Sequence, residues 1–269
     1  MLIRAGFEIM YECSQPTPML LVLEVHPDRV PDIRGDHGTR FDRDVNAQRY
    51  QDGFGNSCIR IVAPEGLTTI TADFVIEDSG LPDEVALHAK QLPVEALPQE
   101  VLVYLLGSRY CDTDRLSDTA WGLFGGTPTG WGRVQAICDY THARITFGYD
   151  HADPTRTAWG SHQGRFGVCR DYAHLAVTLC RCMNIPARYC TGYLGDIGVP
   201  AVDQPMDFSA WFEAFLDGRW YTFDARHNVS RIGRILMARG RDATDVALCT
   251  TFGSCTLTGF QVMTDELPP

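Results

Sequence analysis

The sequence predicts an α+β chain: a β-sandwich-like unit over residues 1–95, then a mixed core over residues 96–269 in which a helix opening at Cys169 packs on an antiparallel sheet. Short runs with period 2 dominate before residue 95. A stretch with two prolines marks the changeover, and beyond it a helical apolar stripe leads into a two-stranded hairpin.

Each element has its own signal. Phe7, Ile9 and Tyr11 share one face of an early strand, Ile70, Ala72, Phe74 and Ile76 share the face of another, and the turn-rich DGFGNS lies between them. The segment from Leu92 to Pro98 carries Pro93 and Pro98, which interrupt regular pairing and suit a linker. Trp131, Val134, Ile137, Cys138 and Ile145 recur at nearly helical spacing, with Thr129 placed to cap the first turn. A second helix begins at Val168, with Cys169, Tyr172, Ala173, Ala176, Cys180 and Met183 on one stripe and Asn184 and Pro186 at its end. A short apolar strand, Ala187 to Tyr193, follows. Ala210 to Phe215 and Trp220 to Phe223 then read as a hairpin turning at Asp217-Gly218.

Composition narrows the function. A chain of 269 residues, 45% hydrophobic and 21% charged, has ample material for a core. Its net charge of -11 and pI near 5.1 oppose a nucleic-acid partner and suit a neutral or basic substrate. The first residues lack a basic start, an apolar run and a small-residue cleavage site, and no apolar stretch approaches the ~20 residues a bilayer needs. Ten cysteines in a chain of this length read as mostly reduced, buried small hydrophobes in a reducing cytoplasm. Cys180 and Cys182 form only a C-x-C, without a CxxC pair or closely spaced histidines, so no metal or other cofactor is expected.

Gly164 and Gly167 flank a short loop that leads into the helix at Cys169. A thiol in that first turn meets free backbone N–H groups and the positive end of the helix dipole, which favour thiolate. The same N–H groups suit the oxyanion of an acyl-transfer intermediate. A nucleophilic cysteine also needs a base, and the base needs a partner that orients it.

The segments GRFGVCRDYAHLAVTLCRCMNIPARYCTGYL and DFSAWFEAFLDGRWYTFDARHN resemble the transglutaminase-like superfamily, from about Thr157 to Asn228, and the β-rich front half resembles the N-terminal domain of bacterial members. The resemblance implies a papain-like core and cysteine hydrolase chemistry. It places the nucleophile at Cys169 and the acid at Asp224. The family's His-Ala-Trp is Ser-Ala-Trp here, so Ser209 stands where the base is expected, and serine cannot do that work near neutral pH. With the hairpin turning at Asp217-Gly218, Trp211 falls opposite Asp224 and Ser209 opposite Arg226, all on one face, where Trp211 reads most simply as hairpin core, with a substrate-lining role as the alternative.

Other imidazoles are His227, which the same register sends to the opposite face unless a bulge turns it inward, and His174, about 140° around the helix from Cys169. His162 lies in the preceding loop. Asp171 suits the helix dipole. Arg231, Arg234, Arg239 and Arg241 read as solvated salt bridges. Two functional classes follow: an enzyme acting on peptides, proteins or small amides through a Cys169 thioester, and a catalytically silent relative that binds a peptide or protein in the same cleft.

Overall fold

Alternation of apolar side chains over the first 77 residues builds two antiparallel sheets. The computed structural model describes residues 1–201 and 206–268. Its first strands are β1 (Leu2–Cys13), β2 (Thr17–Leu21), β3 (Gln48–Gln51), β4 (Ser57–Ala63) and β5 (Gly66–Glu77). The register of β1 on β5 sets Ile3, Ala5, Phe7 and Ile9 opposite Ile76, Phe74, Ala72 and Ile70, and every one of them is buried. Met19 and Leu21 of β2 and Ile59 and Ile61 of β4 complete the same cluster from the second sheet. Period 2 in the sequence becomes two apolar faces pressed together.

The proline-bearing stretch is not a plain linker. It forms two short 3-10 turns, Val94–Ala96 and Gln99–Leu105, preceded by Pro93 and Pro98. Beyond it come α1 (Thr113–Phe124), α2 (Trp131–Arg144), α3 (Ala158–Gly164) and α4 (Cys169–Cys182), then β6 (Ala187–Tyr193), β7 (Ser209–Leu216), β8 (Arg219–Phe223) and β9 (Ile235–Gly240). The strands form an antiparallel sheet in the order β8-β7-β6-β9. Leu175 and Leu179 of α4 pack with Phe212, Ala214 and Leu216 of β7, all fully buried. Each such leucine contributes roughly 1.5–3 kcal/mol through burial, which anchors the helix on the sheet.

Thr129 does not cap α2. Gly130 occupies that position with φ +78°, and the Trp131 N–H donates to the Ala89 carbonyl at 3.0 Å instead. A Cβ at residue 130 would lie 2.3 Å from that carbonyl oxygen, so glycine is required by both conformation and space.

The chain then returns to its beginning. β10 (Cys249–Thr251) pairs with β2, and β11 (Cys255–Glu266) runs antiparallel to β1, where a disulfide joins Cys13 to Cys255. A division at residue 95 therefore separates strands that share a sheet. Alternation marks a strand but carries no record of its partner, and β11 buries little besides Val262 and Thr264. The sandwich core continues into Tyr193, Phe208, Ile235 and Met237 beneath the second sheet. Among the described residues no helix is long and apolar enough to cross a membrane.

Candidate active site

Cys169 is the first residue of α4, directly after Val168 at the cap. The segment ahead of it is α3 and a two-residue strand, Phe166–Gly167, parallel to Thr146–Phe147. Asp171 is fully buried beneath this entry, and its Oδ2 accepts the Val168 N–H at 2.8 Å and pairs with Arg156 at 3.3 Å. It ties down the helix start, as an acidic residue in a first turn does. Gly167 is needed for that fit, since a Cβ there would stand 2.6 Å from the Asp171 side chain.

The thiol does not behave as the helix start alone suggests. Burial pushes it up to about 11, although the Arg226 charge and the backbone N–H groups of Ala210 and Arg170 act in the opposite direction. In the resting protein it is therefore protonated at neutral pH, and a base must create the nucleophile. Iodoacetamide is expected to reach Cys169 and Cys249 first, because both are partly exposed and the other free cysteines are buried. Labelling of Cys169 should climb nearly tenfold per pH unit from about 7 to 10, as the thiolate fraction grows. A rate independent of pH over that range would mean a preformed thiolate.

The hairpin has the expected register, with Phe212 opposite Phe223 and Ala214 opposite Tyr221, but β8 stops at Phe223. Asp224 is buried, and its Oδ1 accepts the N–H groups of Arg226 and His227, each at 3.0 Å. That bends the chain out of the sheet, so strand parity no longer decides where residue 227 points. The His227 ring returns to the same carboxylate, with Nδ1 2.8 Å from Oδ2. No bulge is involved; a side-chain-capped turn does it.

Arg234 completes the group from β9's approach. Its Nη2 lies 2.9 Å from Asp224 Oδ2, and its Nε contacts both oxygens of Asp83 at 3.0 and 2.9 Å. Burial would raise the Asp224 carboxyl, but the Arg234 charge and the His227 hydrogen bonds hold it well below the usual carboxylate range. Arg234 is therefore buried and structural rather than solvated, and Arg231 is buried as well, donating to the Gly195 carbonyl at 2.8 Å. Asp83 has no signature in the sequence that could have marked it, and Arg234 stood out there only as one of a run of arginines.

A cavity of about 340 Å³ brings Cys169, Ser209 and His227 together, with Arg226 and Asp207 in its wall. A second, of about 450 Å³, meets it at Cys169, Asp207, Phe208 and Ser209 and extends past Arg170 and Tyr189. Asp224 lies behind the imidazole and lines neither. Trp211, for which substrate lining is the alternative reading, faces a different cavity, where the Arg234 guanidinium sits 5.1 Å from its ring centroid. Ser209 starts β7 beside the Cys169 helix, whereas Trp211 is two residues deeper, opposite Cys190.

His174 is fully buried. Its Nε2 accepts the Ala243 N–H at 3.1 Å, and its ring stacks on Tyr110 at 5.0 Å. His162 belongs to α3 rather than a loop, and its Nε2 bonds the Tyr140 hydroxyl at 2.8 Å. Neither is in the wall of the two cavities at Cys169. Of the imidazoles weighed from sequence, His227 shares a cavity with the thiol.

Comparison with known proteins agrees with this core. Residues 118–225 match the Transglutaminase-like superfamily. The crystal structure of a "Putative Cysteine Protease" from Cytophaga hutchinsonii superposes with a TM-score of 0.86 at 27% identity, covering 100% of this chain and 91% of that one. An uncharacterised protein of Mycobacterium leprae is 39% identical over 89 residues. That match spans 32% of this chain and 31% of the relative's length. With an α+β architecture, a thiol at a helix start and a buried carboxylate just after the hairpin, the chain carries over residues 118–225 a domain that matches the transglutaminase-like superfamily.

Proposed function

We propose that this chain is a cysteine hydrolase or acyltransferase for amide or peptide bonds, with Cys169 as nucleophile, His227 as general base and Asp224 as the acid that orients it. The carrying observation is the 2.8 Å contact from His227 Nδ1 to Asp224, made by a residue that lines the cavity of Cys169 and Ser209. Nδ1 is thereby committed to the carboxylate, which leaves Nε2 to exchange protons with the thiol. Superfamily membership and the Cytophaga neighbour support the general chemistry.

In the proposed reaction His227 Nε2 takes the Cys169 proton as Sγ attacks the substrate carbonyl carbon, and the carbonyl π pair moves onto oxygen. Collapse of that intermediate breaks the C–N bond. The amine leaves with the proton from the imidazolium, and a thioester remains on Cys169. Water or a second amine then attacks the thioester, giving a proton to His227, and the departing thiolate is reprotonated. Because burial holds the thiol near 11, proton removal and attack belong to one event rather than to a resting ion pair. Cavities on both sides of the thiol suit a peptide or protein chain crossing it, and the acidic surface favours neutral or basic substrates over nucleic acid.

The binding-only alternative rests on Ser209 at the family's histidine position. The hydrogen bond between His227 and Asp224 weighs against it. Incubation with an activated ester should leave one acyl group on Cys169, detectable by intact mass, and Cys169→Ala should abolish both adduct and turnover. Persistence of turnover in that variant would sink the enzyme reading.

We further propose that the protein works in a bacterial cytoplasm, a reading that its eight free cysteines support and the Cys13–Cys255 disulfide opposes. Trapping thiols in intact cells tests it, because a reducing compartment should leave Cys13 and Cys255 open to alkylation.

A further inference from the structure

We infer that Ser209, at the position where the superfamily resemblance expects the base, is itself a catalytic residue: its hydroxyl donates a hydrogen bond to the oxyanion that forms when Cys169 attacks. The inference rests on the proposed acyl-transfer reading and assigns a role that reading leaves open.

Ser209 is 5% exposed, and its Oγ has no hydrogen-bond partner among the described residues. A hydroxyl removed from water and left unpaired costs about 1–3 kcal/mol, so a buried one is normally matched to something. Its surroundings indicate what. Both cavities that meet at the thiol are lined by Cys169, Asp207, Phe208 and Ser209. Among these four, only Ser209 offers a neutral hydroxyl donor; phenylalanine has none, and an ionised aspartate only accepts.

The backbone around Ser209 is held at both ends. Thr191 Oγ1 donates to the Ser209 carbonyl at 3.1 Å, and the next N–H, on Ala210, faces the Cys169 thiol. The hydroxyl is thus carried on a rigid strand start beside the reacting sulfur. A donor fixed where negative charge develops stabilises the transition state without reorganisation. Serine cannot replace imidazole as a base, but it can replace it as a polar group in the wall. The proton-transfer role has passed to His227, on the turn after β8, and a hydrogen-bonding role remains at position 209.

The electron balance gives a test that separates this role from thiol activation. Acyl transfer moves the carbonyl π pair onto oxygen, creating the charge Ser209 would meet. Alkylation by iodoacetamide forms an S–C bond and expels iodide, with no oxyanion. Ser209→Ala is therefore expected to lower kcat for an activated ester by about 10²-fold, while the iodoacetamide rate at Cys169, measured at the same pH, stays within about twofold. Ser209→Thr, which keeps the hydroxyl, should recover most of the loss. A kcat for Ser209→Ala within about threefold of the parent overturns the assignment. So does an alkylation rate that falls in parallel with kcat, since Ser209 would then act on the thiol or on folding. A parent protein without Cys169-dependent turnover would overturn the acyl-transfer reading first, before any Ser209 variant is made, and this assignment with it.

Discussion

Replacing His227 with alanine is expected to lower kcat for a small ester or amide by about 10²- to 10⁴-fold, the usual worth of a positioned general base. The fold should survive. His227 is 24% exposed at its side chain, and after its removal Asp224 keeps the Arg234 contact and two backbone N–H donors. The effect should therefore fall on the chemical step, with KM little changed and the unfolding midpoint nearly that of the parent. Added imidazole should restore part of the rate by entering the vacated cavity. Unchanged turnover in His227→Ala would mean that another group removes the Cys169 proton. A histidine at position 209, which hairpin register by itself would place diagonal to Asp224, is expected to add little. The carboxylate oxygen it would need is already shared by His227 and Arg234.

Arg234→Met is expected to cost about 3–5 kcal/mol of folding stability, because it leaves buried carboxylates without their cation. Asp224 is 2% exposed at its side chain and Asp83 16%, so solvent can screen the second but not the first. The pH dependence identifies the cause. In the parent, the depressed Asp224 pKa contributes stability that is present above the ordinary carboxylate range and is lost as pH falls through the folded pKa. Without Arg234, the largest of the influences that oppose burial is gone and the folded pKa rises. The penalty is then present at neutral pH and fades as the solution is acidified through that raised pKa. Urea titrations of parent and variant at several pH values measure the gap. A gap below about 1 kcal/mol, or one that does not shrink on acidification, would show that the Arg234 pair is not what holds this region together.

The alternating strands of the sandwich, the α4 stripe with Cys169 at its head and the register of the β7–β8 hairpin that leads to Asp224 can all be read from residue order. These are local properties, since period, capping position and turn residues lie within one element and its neighbour. The departure at Ser209 was equally legible, because it is a single letter within a motif. The rest came from packing between distant segments. Whether His227 reaches the cavity of Cys169 depended on where β8 stops, and a carboxylate capping two N–H groups turns the chain directly after Phe223. Arg234 and Asp83 lie 10 and 141 residues from Asp224, and only the packing of β9 against the segment after β5 brings them to it. The thiol's high pKa was likewise hidden from sequence. A helix start is a local cue for thiolate, but how much water reaches the sulfur is set by every element that surrounds it, and here burial outweighs the dipole.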